Sequence, residues 1–192
     1  MAMRLRFGRW NDILALPAPE AKHLLLTTTD HDARAVAHAV LGHREDAARE
    51  REGFAAARDR VPTDAAWGYN RASSIFAVMT PSLDAWIARA AGDDKAAIRS
   101  WRDAVAAEDR LAYNEPPDWY YPTRESLGAA RQHAEAERVC RDDLARNPNN
   151  PRSLFGVWQA LMARKQPAAA AAQRQFRDAW KHADLALTLA DF

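Results

Sequence analysis

The sequence predicts an all-α protein built from antiparallel helical hairpins, and three observations carry that prediction. Apolar residues recur at helical spacing: Leu83, Trp86, Ile87 and Ala90 fall at i, i+3, i+4 and i+7, and Ala97, Ile98, Trp101, Ala104 and Val105 form a second stripe. Between the two stripes, Gly92-Asp93-Asp94 supplies a residue that tolerates positive φ and then a carboxylate able to cap a new N-terminus. A helix stop is thus followed at once by a start. The seven glycines and ten prolines fall mostly between stripes, as helix punctuation does, and Asn114, Pro116 and Pro117 close this central unit at 82–113.

The other elements follow in chain order. Arg6 to Leu14 reads as the turn and second helix of a hairpin whose first helix is barely present, ended by Pro17-Ala18-Pro19. Leu24-Leu25-Leu26 then feeds Thr27-Thr28-Thr29-Asp30, where a helix is favoured over a strand. Ala33, Val36, Ala37 and Val40 lead to Leu41-Gly42-His43 and an outer helix through Phe54 and Ala57, giving a hairpin over 32–62. From Ala65 to Ala91 the stripe Trp67, Ala72, Ile75, Phe76 and Met79 gives either one long helix kinked at Pro81, which economy favours, or a helix that stops at Met79 with a new one starting at the proline, and the partner is expected to run from Asp94 to Tyr113. Trp119-Tyr120-Tyr121-Pro122 is expected to open a further helix through Leu127, paired with His133 to Arg146 over 119–148. The last hairpin, 151–182, pairs Leu154, Val157, Trp158 and Leu161 with Ala172, Phe176, Ala179 and Trp180. Leu185, Leu187, Leu189 and Phe192 would cover the end of the stack.

Composition bounds the function. With 48% hydrophobic and 28% charged residues the chain reads as folded and soluble, and 192 residues suit a single domain of four to five hairpins. Lys plus Arg, 27, nearly cancels Asp plus Glu, 26, so no global field favours nucleic acid or anionic lipid. Arg49, Arg51, Arg58 and Arg60 are interleaved with Glu45, Asp46, Glu50, Glu52 and Asp59, the pattern of an exposed helix rather than a basic stripe. No uninterrupted apolar run is long enough to span a bilayer, and no apolar segment follows the N-terminal arginines, so a cytoplasmic, unexported protein is expected. Cys140 is the single cysteine and is expected to be a buried thiol.

Gly92, Ala97, Trp101 and Ala104 stand at the spacing of the glycine, small, aromatic and small positions of a tetratricopeptide repeat, and Gly42 with Ala47 repeats part of that pattern. The chain resembles the C-terminal part of a longer, bacterial-type protein of that family. The third hairpin departs from the pattern: Leu127-Gly128 matches the mid-helix pair, but Arg131 holds the turn place about one helical turn early. In the last hairpin Lys165-Gln166-Pro167 replaces the turn glycine. The resemblance implies a right-handed α-solenoid whose stacked hairpins bury a shared core and whose inner helices line a concave face.

It also implies a non-catalytic module that binds a peptide or helix of a partner protein there. Asn70, Arg71, Arg124, Glu125, Arg152, Phe155 and Gln159 are expected to reach that groove, with Trp119 and Tyr120 at its border. Arg71, Arg124 and Arg152 together would favour an acidic or C-terminal peptide, because the guanidinium fork binds both carboxylate oxygens. A self-associating structural protein, in particular a homodimer through an uncapped end of the stack, is the alternative. A metal-dependent enzyme is a distant third reading. Its best case is His31-Asp32 with His38 and His43, but His31 and His38 lie seven apart, no His-Glu-x-x-His occurs, and phosphate-loop and nucleophile-elbow motifs are missing, so no cofactor is expected and zinc should leave the melting temperature unchanged.

Overall fold

A computed structural model describes residues 2–119, 123–129, 133–183 and 187. The chain is all-α, with ten helices and one two-stranded hairpin among the described residues. Where the sequence reads as one domain, the chain divides into two compact units, Met1–Tyr121 and Pro122–Phe192.

The first unit opens with two short helices, α1 (Ala2–Arg6) and α2 (Trp10–Leu14), followed by α3 (Leu24–Val40) and α4 (Arg44–Arg58). The threonine run is helical. Each of Thr27, Thr28 and Thr29 donates its hydroxyl to the carbonyl four residues back, at 3.1, 2.8 and 3.1 Å, which absorbs the β-branched segment into the first turns of α3. Next come β1 (Ala66–Trp67) and β2 (Asn70–Arg71), then α5 (Ala72–Ala90) and α6 (Asp94–Glu108). α5 does run unbroken through Pro81, as expected. It begins at Ala72, however, and not Ala65: residues 66–71 pair antiparallel, Ala66 with Arg71 and Trp67 with Asn70. The reason is local. Trp67-Gly68-Tyr69-Asn70 places a glycine with φ +59° at the head of a two-residue loop, which suits a tight hairpin and interrupts a helix. α6 likewise stops at Glu108, short of Tyr113.

α3 packs against α4, α5 against α6, and α3 also against α2 and α5. Their common core joins Ala35, Val36, Phe54, Ile75, Phe76, Val78, Met79 and Leu83, and Trp119 closes it from the far end of the unit. Phe76 is met edge-on by Phe54 and Trp67, at centroid distances of 6.5 and 6.2 Å.

The second unit holds α7 (Thr123–Ala129), α8 (His133–Arg146), α9 (Pro151–Ala163) and α10 (Ala169–Trp180). Each packs on the next, and α7 also touches α9. Among the described residues α7 covers Thr123–Ala129, and Trp119, expected to open the helix, is not helical. The expected irregular turn at Arg131 lies outside the described residues, as do the apolar residues Leu185, Leu189 and Phe192. Asn150 caps α9 by accepting from the Arg152 amide at 3.1 Å, with Pro151 at the first helical position. Lys165 adopts φ +52° in the turn before α10, the place where the α3–α4 and α5–α6 turns carry glycine. No helix among the described residues is long and apolar enough to cross a membrane.

Candidate functional site

Of the residues expected at a binding groove, Asn70 ties the small hairpin to the segment after α6, and Arg71 and Trp119 follow Asn70 and its partner Asp118 in sequence. Asn70 brackets the backbone of Ala112 from both sides: its amide nitrogen donates to the Ala112 carbonyl at 3.2 Å, and its oxygen accepts from the Ala112 amide at 2.8 Å. Asp118 completes the junction. Its Oδ2 accepts from the backbone amides of Tyr69 and Asn70 at 3.0 and 3.2 Å and from the Asn70 side chain at 2.8 Å, while Oδ1 accepts from Asn114 at 2.6 Å. These donors, the Asn70 amide first and then Asn114, hold the Asp118 carboxyl below the usual range. A side chain at Gly68 would meet Asp118 Oδ1 at 1.9 Å, so both the positive φ and the space require glycine there.

The consequence is a pair of aromatic residues displayed on fixed backbone. Tyr69, at the hairpin tip, and Tyr113, next to Ala112, are 79% and 84% exposed. Tyr113 donates its hydroxyl to Glu115 at 2.8 Å, and that bond, with the negative charge of Glu115, raises its pKa. Arg71 is exposed, whereas Trp119 is buried in the core. Trp119 is therefore a packing residue and does not border an open groove.

Glu125 and Arg152 are adjacent, but they are buried. Arg152 Nε donates to Glu125 Oε2 at 2.7 Å, with side-chain exposures of 5% and 0%. Asn150 donates to Glu125 Oε1 at 3.0 Å and to Asp143 Oδ2 at 2.9 Å, and Ser153 donates to the same Asp143 oxygen at 2.6 Å. This network ties α7, α8 and α9 together; removing one partner of such a pair typically costs about 3–5 kcal/mol. Arg152 is thus neutralised from within. Phe155 is also core, 5.3 Å from Phe176 and 5.6 Å from Trp158 between ring centroids. Arg124 and Gln159 are half-buried, and Tyr120 lies outside the described residues.

Three further places carry titratable chemistry. On α3, His31 lies 2.6 Å from Glu50 of α4, and Asp32 beside it is fully buried, which pushes its carboxyl up to about 7 against the opposing charge of Arg51. Arg51 itself pairs with Asp84 at 2.7 Å. None of these lines the cleft of about 500 Å³ bounded by Arg58, Pro62, Phe76 and Thr80. Cys140 is buried as expected, and burial, then the charges of Asp143 and Glu125, raise its pKa to about 12, which disfavours the thiolate. The described residues also bring His38, His43 and Asp46 together at metal-ligating distances. Spacing along one helix sets His31 against His38, whereas the tight turn at Gly42 returns His43, which the sequence also singles out, to His38. The signal was present as a histidine on each side of a turn glycine.

No family model, curated protein or solved structure matches the chain.

Proposed function

We propose that the chain is a non-catalytic protein-interaction module of stacked helical hairpins, tetratricopeptide-like in plan, which takes hold of a partner protein through the Tyr69 and Tyr113 platform. The stacking part of this reading is supported by the contacts of alternate helices, α3 with α5 and α7 with α9, which is how repeats bury a shared core. The observation that carries the binding part is the display of two almost wholly exposed tyrosines on backbone pinned by Asn70 and Asp118. Tyrosine contributes large contact area for little conformational entropy, and a rigid mount lowers the ordering cost further. The expectation of an acidic ligand loses Arg152 to its pair with Glu125 and retains the exposed Arg71.

The test uses the partner that the intact chain captures from native extract, purified and titrated back. Replacing both Tyr69 and Tyr113 with alanine is expected to weaken binding about 30-fold or more, with helical signal and melting temperature unchanged, because neither side chain packs in the core. Leu26→Ala and Met162→Ala, at other exposed apolar positions, should do little. Full binding by the tyrosine variant would remove the platform from the reading. If the captured partner is a second copy, with sedimentation shifting with concentration, the module is self-associating.

A further inference from the structure

The hairpin formed by α3 and α4 carries a metal-ligating group that its counterpart, α5 and α6, lacks, although the two turns share one backbone. In both, a glycine sits at φ +82° or +83°, Gly42 and Gly92. In both, the following amide donates back across the turn, His43 to the His38 carbonyl at 2.8 Å and Asp93 to the Ala88 carbonyl at 2.9 Å. The side chains differ at three equivalent places. His38 stands where the second hairpin has Ala88, His43 where it has Asp93, and Asp46 where it has Ala96. Asp93 caps α6 by accepting from the Ala96 amide at 2.9 Å, but the side chain of His43 makes no capping bond to α4. His43 leaves the helix end uncapped and turns its ring to His38 instead, within hydrogen-bond distance of it.

Nδ1 of His38 and Nδ1 of His43 are 3.3 Å apart, and Asp46 Oδ2 is 3.9 Å from His38 Nδ1. One ligand atom from each residue fits within a group no wider than 4.8 Å. Ligands about 2.0–2.1 Å from a tetrahedral Zn²⁺ are separated from one another by roughly 3.3 Å, which is the spacing of the two imidazole nitrogens. Arg49 pairs with Asp46 through the opposite oxygen, Oδ1, which turns Oδ2 towards His38 as an outer-shell partner does. The rings are tilted by 50° with centroids 5.5 Å apart, so they are not stacked face to face.

We propose that His38, His43 and Asp46 form a binding site for a divalent transition metal of the zinc class, clamping the last turn of α3 to the first turn of α4. Three protein ligands leave one tetrahedral position for water or for a donor from another molecule. The site is separate from the tyrosine platform and does not depend on it. It also reverses the expectation, drawn from histidine spacing along one helix, that zinc leaves the melting temperature unchanged.

The experiment titrates Zn²⁺ into the metal-free full chain in competition with a chromophoric chelator, with melting temperature read in parallel. Saturable uptake of one equivalent and a rise in melting temperature are expected. His38→Ala and His43→Asn should each weaken uptake by more than about 100-fold, beyond the range typical of outer-shell changes. His43→Asn also supplies a better helix cap, so it should fold at least as stably as the parent and separates loss of ligand from loss of fold. His31→Ala, on the same helix but paired with Glu50, should bind zinc as the parent does. Absence of stoichiometric uptake, or uptake and stabilisation undiminished in His38→Ala and His43→Asn, would overturn the site.

Discussion

Asp32 shows how a single residue acquires a property that its neighbours in sequence do not announce. The apolar stripe of α3 reads as Ala33, Val36, Ala37 and Val40, yet Thr28, Asp32, Ala35 and Ala39 are buried as well, while Val40 is exposed. α3 is covered by α2, α4 and α5 at once, so its buried surface is wider than one stripe. An unfolded Asp titrates near 3.9. In the folded chain, burial raises Asp32 to about 7, so between those values the folded state holds a proton that the unfolded state has released. Stability should therefore fall as pH rises from about 4 to about 7 and change no further on this account above that. Asp32→Asn should flatten this slope and stabilise the chain at pH 8 by an amount on the order of a few kcal/mol, measured by urea unfolding at pH 5 and pH 8. Equal slopes for parent and variant would mean that Asp32 is solvated in solution. Asp118 acts in the opposite sense. Its carboxyl is lowered by its donors, so its contribution is present above about pH 4 and is lost as pH falls through the depressed value.

Elements were most legible where apolar spacing and turn chemistry agreed. α4 and α5 end within a few residues of their sequence signals, and the pair Gly92-Asp93 performs both expected tasks, positive φ and capping. The start of α5 was not legible, because Trp67 continues its apolar stripe while Gly68-Tyr69 selects a hairpin, and the bonds to Asp118 that fix the hairpin come from residues almost fifty positions later. The turns give a direct comparison. Gly92 adopts φ +83° without strain, whereas Lys165 holds φ +52° at a cost of about 1–2 kcal/mol for a side-chain-bearing residue. Gly92→Ala is expected to destabilise by about that amount. Lys165→Gly should stabilise by less than about 1 kcal/mol, since glycine's unfolded-state freedom offsets part of the relief. Urea midpoints for the two variants moving in the same direction would show that the turns are not equivalent.

At the scale of the whole molecule, the division after Tyr121 makes a prediction about fragments. Trp119 belongs to the core of the first unit with Phe54, Ile75, Phe76 and Leu83, and Asp118 pins the small hairpin. A fragment of residues 1–121 should keep helical signal and melt cooperatively. One of residues 1–110 lacks Trp119, Asp118 and the Ala112 backbone that Asn70 brackets, and should melt at lower temperature with a broader transition. Circular dichroism on both fragments is the check; similar melting curves would place Trp119 outside the folding unit.

The sequence by itself determined that the chain is helical, where most helices lie, and which residues turn one into the next, because spacing, capping and positive φ are local constraints that a few neighbouring residues satisfy among themselves. Only the tertiary structure decided what the polar residues do. Arg152 and Glu125, 27 positions apart, cancel each other in the interior; Asn70 and Asp118 mount two tyrosines; a turn sets His43 against His38 and Asp46. Charge and hydrogen-bonding capacity are assigned by whichever partner the packed helices deliver within about 3 Å, and for Arg152 and Asn70 no period along the chain encodes that partner.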